Sequence, residues 1–326
     1  MYSKVKMTSF NIESYLNLLP HDVEIINIRK KEIKYLPDLS KFKNIKELHC
    51  SNNGLTCLPN LPENLEVLYC SNNELTCLPN LPKKIRKLSC SNNELTCLPN
   101  LPENLRILCC SYNKLNCLPT LSENLQELSC SNNNFTSLPA LPQHIKILTC
   151  YNSKLTCLPT LPEKLQELSC SDNKLTCLPS LPQHIQILSC SNNKLTCLPS
   201  LPQHIQILSC YNNTLTCLPK LNENLTDLYC YNNKLTYLPE LNENIKRFNY
   251  MNNPVSNIIK GNIRKNIKTL NKFRHLYYCL KFKKQLRKWL WINVREPKIM
   301  LKYHPNYLVD KLKDENADLD KVLDNW

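Results

Sequence analysis

Residues 55–73 read LTCLPNLPENLEVLYCSNN, and near-copies of this stretch recur along most of the chain. Aligned on the residue that opens each core, the units begin at Val23, Ile45, Leu65, Ile85, Leu105, Leu125, Ile145, Leu165, Ile185, Ile205, Leu225 and Ile245. The spacing is 22 once and 20 thereafter. A fixed short period of this kind predicts a solenoid, in which each unit buries its apolar face only by stacking on its neighbours.

Within a unit, apolar residues stand at the first, fourth, sixth and eleventh places and asparagine at the ninth, as in Leu65, Leu68, Cys70, Leu75 and Asn73. The segment from Leu65 to Cys70 alternates at its centre. It suits a short parallel strand with Leu68 and Cys70 inward and Tyr69 outward. The return carries Pro59 and Pro62 three apart. That spacing disfavours a helix and favours polyproline II, with three residues per turn. At the ninth place stand Asn53, Asn73, Asn93, Asn113, Asn133, Asn173, Asn193, Asn213, Asn233 and Asn253. A carboxamide both donates and accepts, so an inward stack of them is expected to satisfy backbone groups where the chain turns. Ser153 interrupts the stack, and a locally weaker rung is expected there.

The pattern L-x-x-L-x-[LC]-x-x-N-x-L followed by LPxLP resembles that of leucine-rich repeat proteins, and its length is similar to the short 20-residue class of bacterial effectors. The resemblance spans residues 18–255, about twelve units. It implies the α/β leucine-rich repeat class: a right-handed parallel β-solenoid horseshoe with an extended polyproline-II convex side, here followed by a helical C-terminal extension. Residues 1–17 form an N-terminal segment and 256–326 a basic helical cap with an acidic end. Some such effectors carry a ubiquitin-ligase domain, but Cys279 in LYYCLKF lacks the acidic neighbours of that motif. LNLLPHDVEII (16–26) loosely resembles an F-box opening. Leu19, Pro20 and Val23 align equally well with Leu61, Pro62 and Leu65, so the stretch reads as first repeat and cap. The AT-rich codon bias, the cysteine-bearing LPxLP repeats and the tail REPKIMLKYHPNYL together resemble leucine-rich repeat proteins of amoeba-infecting giant viruses. That implies expression in host cytoplasm and a host-protein target.

Composition narrows the function classes. Of 326 residues only Gly54 and Gly261 are glycine, so no Gly-rich phosphate cradle can be built. The N-terminus has no continuous apolar leader and no window offers a membrane span, so an intracellular setting is expected. Thiols there stay reduced. Ten cysteines occupy the sixth place (Cys50 to Cys230) and eight the thirteenth: Cys57, Cys77, Cys97, Cys117, Cys157, Cys177, Cys197 and Cys217. Both series are expected to point inward as inert core thiols. Oxidation-sensitive ladders and a zinc array are the competing readings, but the spacing makes ladders, not the tetrahedral convergence that zinc requires. His144, His184 and His204 share the place before the strand and read as solvated. No catalytic constellation, metal site or cofactor is implied, and the chain reads as no enzyme.

Function is therefore sought on the surface. Serine and asparagine dominate the outward strand places, broken by tyrosine and isoleucine, a composition suited to gripping a protein. The candidate concave residues are Tyr151, Ile187, Ile207, Tyr211, Tyr229 and Tyr231. Of the net charge of +14, +10 lies in the last 72 residues. There Ile263, Ile267, Leu270, Phe273 and Leu276 recur at helical spacing, predicting an amphipathic helix to about Asn293. Lys281, Lys283, Lys284, Arg287 and Lys288 form its basic face. Beyond capping, that face suits nucleic acid, an anionic surface or a partner groove.

Overall fold

The computed structural model describes residues 10–257, 264–269, 271–272 and 283–297. These fall into two compact units, one ending at Arg264 and the other beginning at Lys265. The first is a parallel β-solenoid of twelve strands in sequential order. Strand β1 is Ile25–Asn27, β2 is Glu47–His49 and β3 is Val67–Tyr69, and the same place in each later unit supplies a strand up to β12, Arg247–Asn249. Parallel register sets each residue beside its equivalent one unit on, as Leu48 beside Leu68 and Leu68 beside Leu88. At a spacing of about 4.8 Å, twelve strands extend roughly 50 Å.

Each strand is three residues long, shorter than the six from Leu65 to Cys70 that alternation suggests. The chain turns at both ends. Leu65 N donates to Pro62 O within its own unit (3.1 Å), while Glu66 N and Cys70 N still bond to neighbouring rungs, each at 2.8 Å. Leu65, Leu68, Cys70 and Leu75 are wholly buried, and their equivalents repeat this down the stack.

The ninth-place asparagines hold the turns. Asn73 Nδ2 donates to Cys70 O (2.9 Å) in its own rung and to Cys50 O (3.1 Å) in the rung before. Its Oδ1 accepts from Leu55 N at 3.1 Å. One side chain thus satisfies three backbone groups that the turn would otherwise leave buried and unpaired. Just before it the chain adopts positive φ, from 51° to 59° at Asn52, Asn72 and their equivalents. Asparagine tolerates this region with little strain, which explains its recurrence in a chain almost without glycine. Tyr112, at φ 56°, is the bulky exception.

The thirteenth-place cysteines do not point inward. Cys57, Cys77, Cys97, Cys117, Cys157, Cys177 and Cys197 are exposed and Cys217 half-buried, whereas every sixth-place cysteine is buried. The cause is the three-residue period of the return. Leu55 and Leu58 turn into the core, so Thr56 and Cys57 between them must face out.

The ends are finished differently. Helix α1, Ile12–Leu18, buries Ile12 and Leu16, and Asn11 caps it by accepting from Ser14 N at 2.9 Å. At the other end a 3₁₀ turn, Pro254–Asn257, buries Val255. There Arg264 Nη2 donates to Ile245 O at 3.1 Å.

In the second unit, residues 265–269, 271–272 and 283–297 are helical, with a π-helical turn at Trp291–Arg295. Lys283 and Lys284 lie in the helix Lys283–Leu290, and Arg287 and Lys288 are exposed on it. Lys281, Cys279, the first nine residues and the tail from Pro305 lie outside the described residues. No helix among the described residues is long and apolar enough to cross a membrane.

Candidate interaction surface

The sheet presents its third and fifth places outward, flanked by the seventh. Serine at the seventh place does structural work. Ser71, Ser111, Ser131 and Ser171 each accept, through Oγ, the backbone N–H of the next rung's seventh residue at 3.1 Å. Tyrosine at that place trades this stitch for a ring on the surface.

Tyr211 and Tyr231 sit there on adjacent rungs, their rings stacked with centroids 4.4 Å apart and planes within 6°. Burial raises the Tyr231 pKa above its ordinary value, and the neighbouring Tyr211 adds to this through charge and a hydrogen bond. Strand register aligns Ile187, Ile207, Asp227 and Arg247 in one column, and Ser189, Ser209, Tyr229 and Asn249 in another. Five of the six candidate residues therefore form one patch: two isoleucines and three tyrosines, all half-buried. Asp227 borders it. Its carboxylate is buried, accepts from Thr226 Oγ1 at 2.7 Å, and lies 2.7 Å from Arg247 Nε. The patch thus ends in a charged pair that is covered on the acidic side and open on the basic side.

Tyr151 stands apart, three rungs before Tyr211. Its pKa is raised first by a hydrogen bond with Tyr112, then by desolvation. A second aromatic group, outside the six candidate residues, lies near the N-terminal end. His49 meets Tyr69 edge to face at 4.8 Å, Lys87 Nζ lies 5.2 Å from the Tyr69 centroid, and Glu47 Oε2 is 2.8 Å from His49 Nε2. The signal was available: His49 and Tyr69 are consecutive departures from serine at the fifth place.

Two shallow depressions lie off this face. One of about 470 Å³ is lined by Ser200, Gln203, Pro219 and Asn222 of the returns, and one of about 530 Å³ by Asn72, Asn92, Tyr112 and Asn132 of the turns. Among the described residues no three His, Cys, Asp or Glu side chains converge as metal ligands. His184 and His204 stack at 6.3 Å, within 15° of parallel.

Comparison with known proteins agrees with this architecture. The family described as Leucine Rich Repeat matches residues 124–145, about one rung. No curated protein sequence matches the chain. Among solved structures the chain is similar to YopM from Yersinia enterocolitica, at 27% identity over 73% of this chain and 66% of that one, with TM-score 0.49. The chain thus spans just under two thirds of that protein. It is also similar to the functional domain of InlJ from Listeria monocytogenes, which includes a cysteine ladder, at 22% identity over 71% and 63% and TM-score 0.52. The leucine-rich repeat domain of APL1B matches at 22% identity over 73% and 77%, with TM-score 0.54. The fold is that of leucine-rich repeat proteins.

Proposed function

We propose that the chain is a non-enzymatic interaction scaffold that binds a partner protein on the concave face of its sheet. The observation that carries this reading is the Tyr211–Tyr231 stack, beside Tyr229, Ile187 and Ile207, on a face otherwise lined mainly by serine. Aromatic rings on a rigid frame give contact area at small entropic cost, and a clustered patch of them is where binding energy concentrates. Tyr151 extends the same face towards the middle of the solenoid. The resemblance to giant-virus repeat proteins favours a host protein as partner and host cytoplasm as the setting. The short LPxLP effector class belongs to the same reading, supported by the 20-residue period.

The test is capture from host lysate by the wild-type chain beside a Tyr211→Ala, Tyr229→Ala, Tyr231→Ala variant. Partners lost with the variant support the concave site, and an unchanged set removes it.

A second reading uses the helix Lys283–Leu290. Arg287 and Lys288 are exposed on it, and Trp289 and Trp291 are 56% and 50% exposed. Basic groups beside exposed indoles suit nucleic acid or an anionic surface. Retention of RNA or DNA that falls steeply with salt and is lost in Arg287→Glu, Lys288→Glu supports this reading. Retention unaffected by those changes contradicts it.

A further inference from the structure

The outward cysteine column lies on the returns, away from the concave face, and the scaffold reading makes no use of it. Exposed thiols at one place on rung after rung are unusual, because cysteine is among the most buried residue types. The column is held in line on both sides. Two residues before each cysteine the rungs are stitched backbone to backbone: Glu74 N to Leu55 O and Glu94 N to Leu75 O at 2.9 Å, Lys174 N to Leu155 O and Lys194 N to Leu175 O at 2.8 Å. On the far side of the return, Asn64 Nδ2 donates to Lys43 O at 2.8 Å and Asn104 Nδ2 to Lys83 O at 3.1 Å. Equivalent cysteines on adjacent rungs are therefore about one rung apart, roughly 5 Å between Cα atoms. That falls inside the disulfide window of about 4.4–6.8 Å, whereas next-but-one neighbours, near 10 Å, fall outside it.

We propose that this column is a site of reversible thiol oxidation, at which disulfides join neighbouring rungs. Ser137 divides it into two blocks of four, Cys57 to Cys117 and Cys157 to Cys217, and Tyr237 ends the second. Each block holds an even number of thiols, so it can be consumed in pairs.

With glutathione disulfide as oxidant the chemistry balances. The Cys57 thiolate attacks one sulfur of glutathione disulfide, forming a mixed disulfide and expelling one glutathione thiolate. The Cys77 thiolate then attacks Cys57 Sγ, forming the Cys57–Cys77 bond and expelling a second. The two protons lost by the cysteines end on the two glutathiones, and the protein pair is oxidised by two electrons. A row of sulfurs supplies pairs, not three or four converging ligands, which favours disulfides over a bound metal. The ten sixth-place thiols, buried in the core, take no part. The links run along the stack and add a covalent cross-tie between rungs otherwise joined by the backbone and by non-covalent contacts.

The experiment incubates the full chain in glutathione–glutathione disulfide mixtures, alkylates free thiols and maps unreduced peptides by mass spectrometry. The expected result is loss of outer thiols as adjacent-rung links such as Cys57–Cys77 and Cys157–Cys177, with no link spanning Cys117 to Cys157 and the inner thiols free. In Cys77→Ser, Cys57 loses its one neighbour and carries glutathione, while Cys97–Cys117 still forms. In Ser137→Cys, new links join Cys117 or Cys157 to the added thiol. Outer cysteines that accumulate glutathione without cross-linking in the wild type overturn the proposal. So do links between non-adjacent rungs, or oxidation of inner thiols first. Circular dichroism of each variant establishes that it is folded before mapping.

Discussion

Asn173 Nδ2 lies 2.9 Å from the carbonyl oxygen of Cys150, one rung earlier in the stack. The same side chain donates to Cys170 O at 3.1 Å and accepts from Leu155 N at 3.1 Å. Asn173→Ala leaves three buried backbone groups without partners. At about 1 kcal/mol or more for each, it is expected to lower stability by about 3 kcal/mol. One rung before, Ser153 Oγ is buried with no hydrogen-bond partner, so Ser153→Ala is expected to change stability by less than about 0.5 kcal/mol. Urea unfolding of the two variants checks this, and equal losses contradict it.

The same contrast places a weak point in the stack. Native-state hydrogen exchange is expected to show faster amide exchange in the rung containing Ser153 than in the rungs of Asn133 and Asn173, since that turn lacks the carboxamide stitch. Equal protection across the three rungs contradicts it.

Tyr112 holds a conformation better suited to asparagine and interrupts a second ladder. On other rungs the preceding turn residue offers an acceptor: Asn92 Nδ2 donates to Asn72 Oδ1 and Asn252 Nδ2 to Asn232 Oδ1, both at 2.7 Å. Asn132 should find its acceptor at position 112, where tyrosine places no carboxamide oxygen, and its buried Nδ2 makes no bond along this ladder. Tyr112→Asn relieves the positive-φ strain and supplies the acceptor. It is expected to raise stability by about 1 kcal/mol, read as a higher urea midpoint. A lower midpoint contradicts this account.

Alkaline pH is expected to unfold the solenoid through its inner thiols. Burial pushes Cys50, Cys90, Cys150 and Cys230 up to about 12 and holds the other sixth-place thiols well above the ordinary value of 9.0. Between those limits the unfolded chain has released protons that the folded chain keeps, so the stability due to these thiols is intact below about pH 8.5 and falls as pH rises towards 12. Each contributes a slope of up to about 1.4 kcal/mol per pH unit. Melting temperatures from pH 7 to 10.5 should fall at the alkaline end, less steeply in Cys150→Val. A flat profile contradicts the buried, neutral thiol column.

The rung was legible because its determinants recur. Leu65, Leu68, Cys70 and Leu75 announce the buried positions by period alone, and Tyr211 and Tyr231 are neighbours because a 20-residue period makes them so. Cys57 was misread because its inward neighbours, Leu55 and Leu58, follow the three-residue period of the return and not the alternation of the strand. The buried Asp227 is paired with Arg247 one rung on, a relation between rungs that no single repeat displays. The His49, Tyr69 and Lys87 cluster likewise crosses the fifth and third places, and the strain at Tyr112 follows from a turn conformation visible only in the backbone.

The Tyr211–Tyr231 face is proposed to carry most of the partner's binding energy. Calorimetry of a captured partner with wild type and with Tyr211→Ala, Tyr231→Ala reads this most directly, with the exposed Glu74→Ala as a control away from the patch. A loss of about 10-fold or more is expected for the double variant and little change for the control. Affinity of the double variant within about twofold of wild type would contradict it.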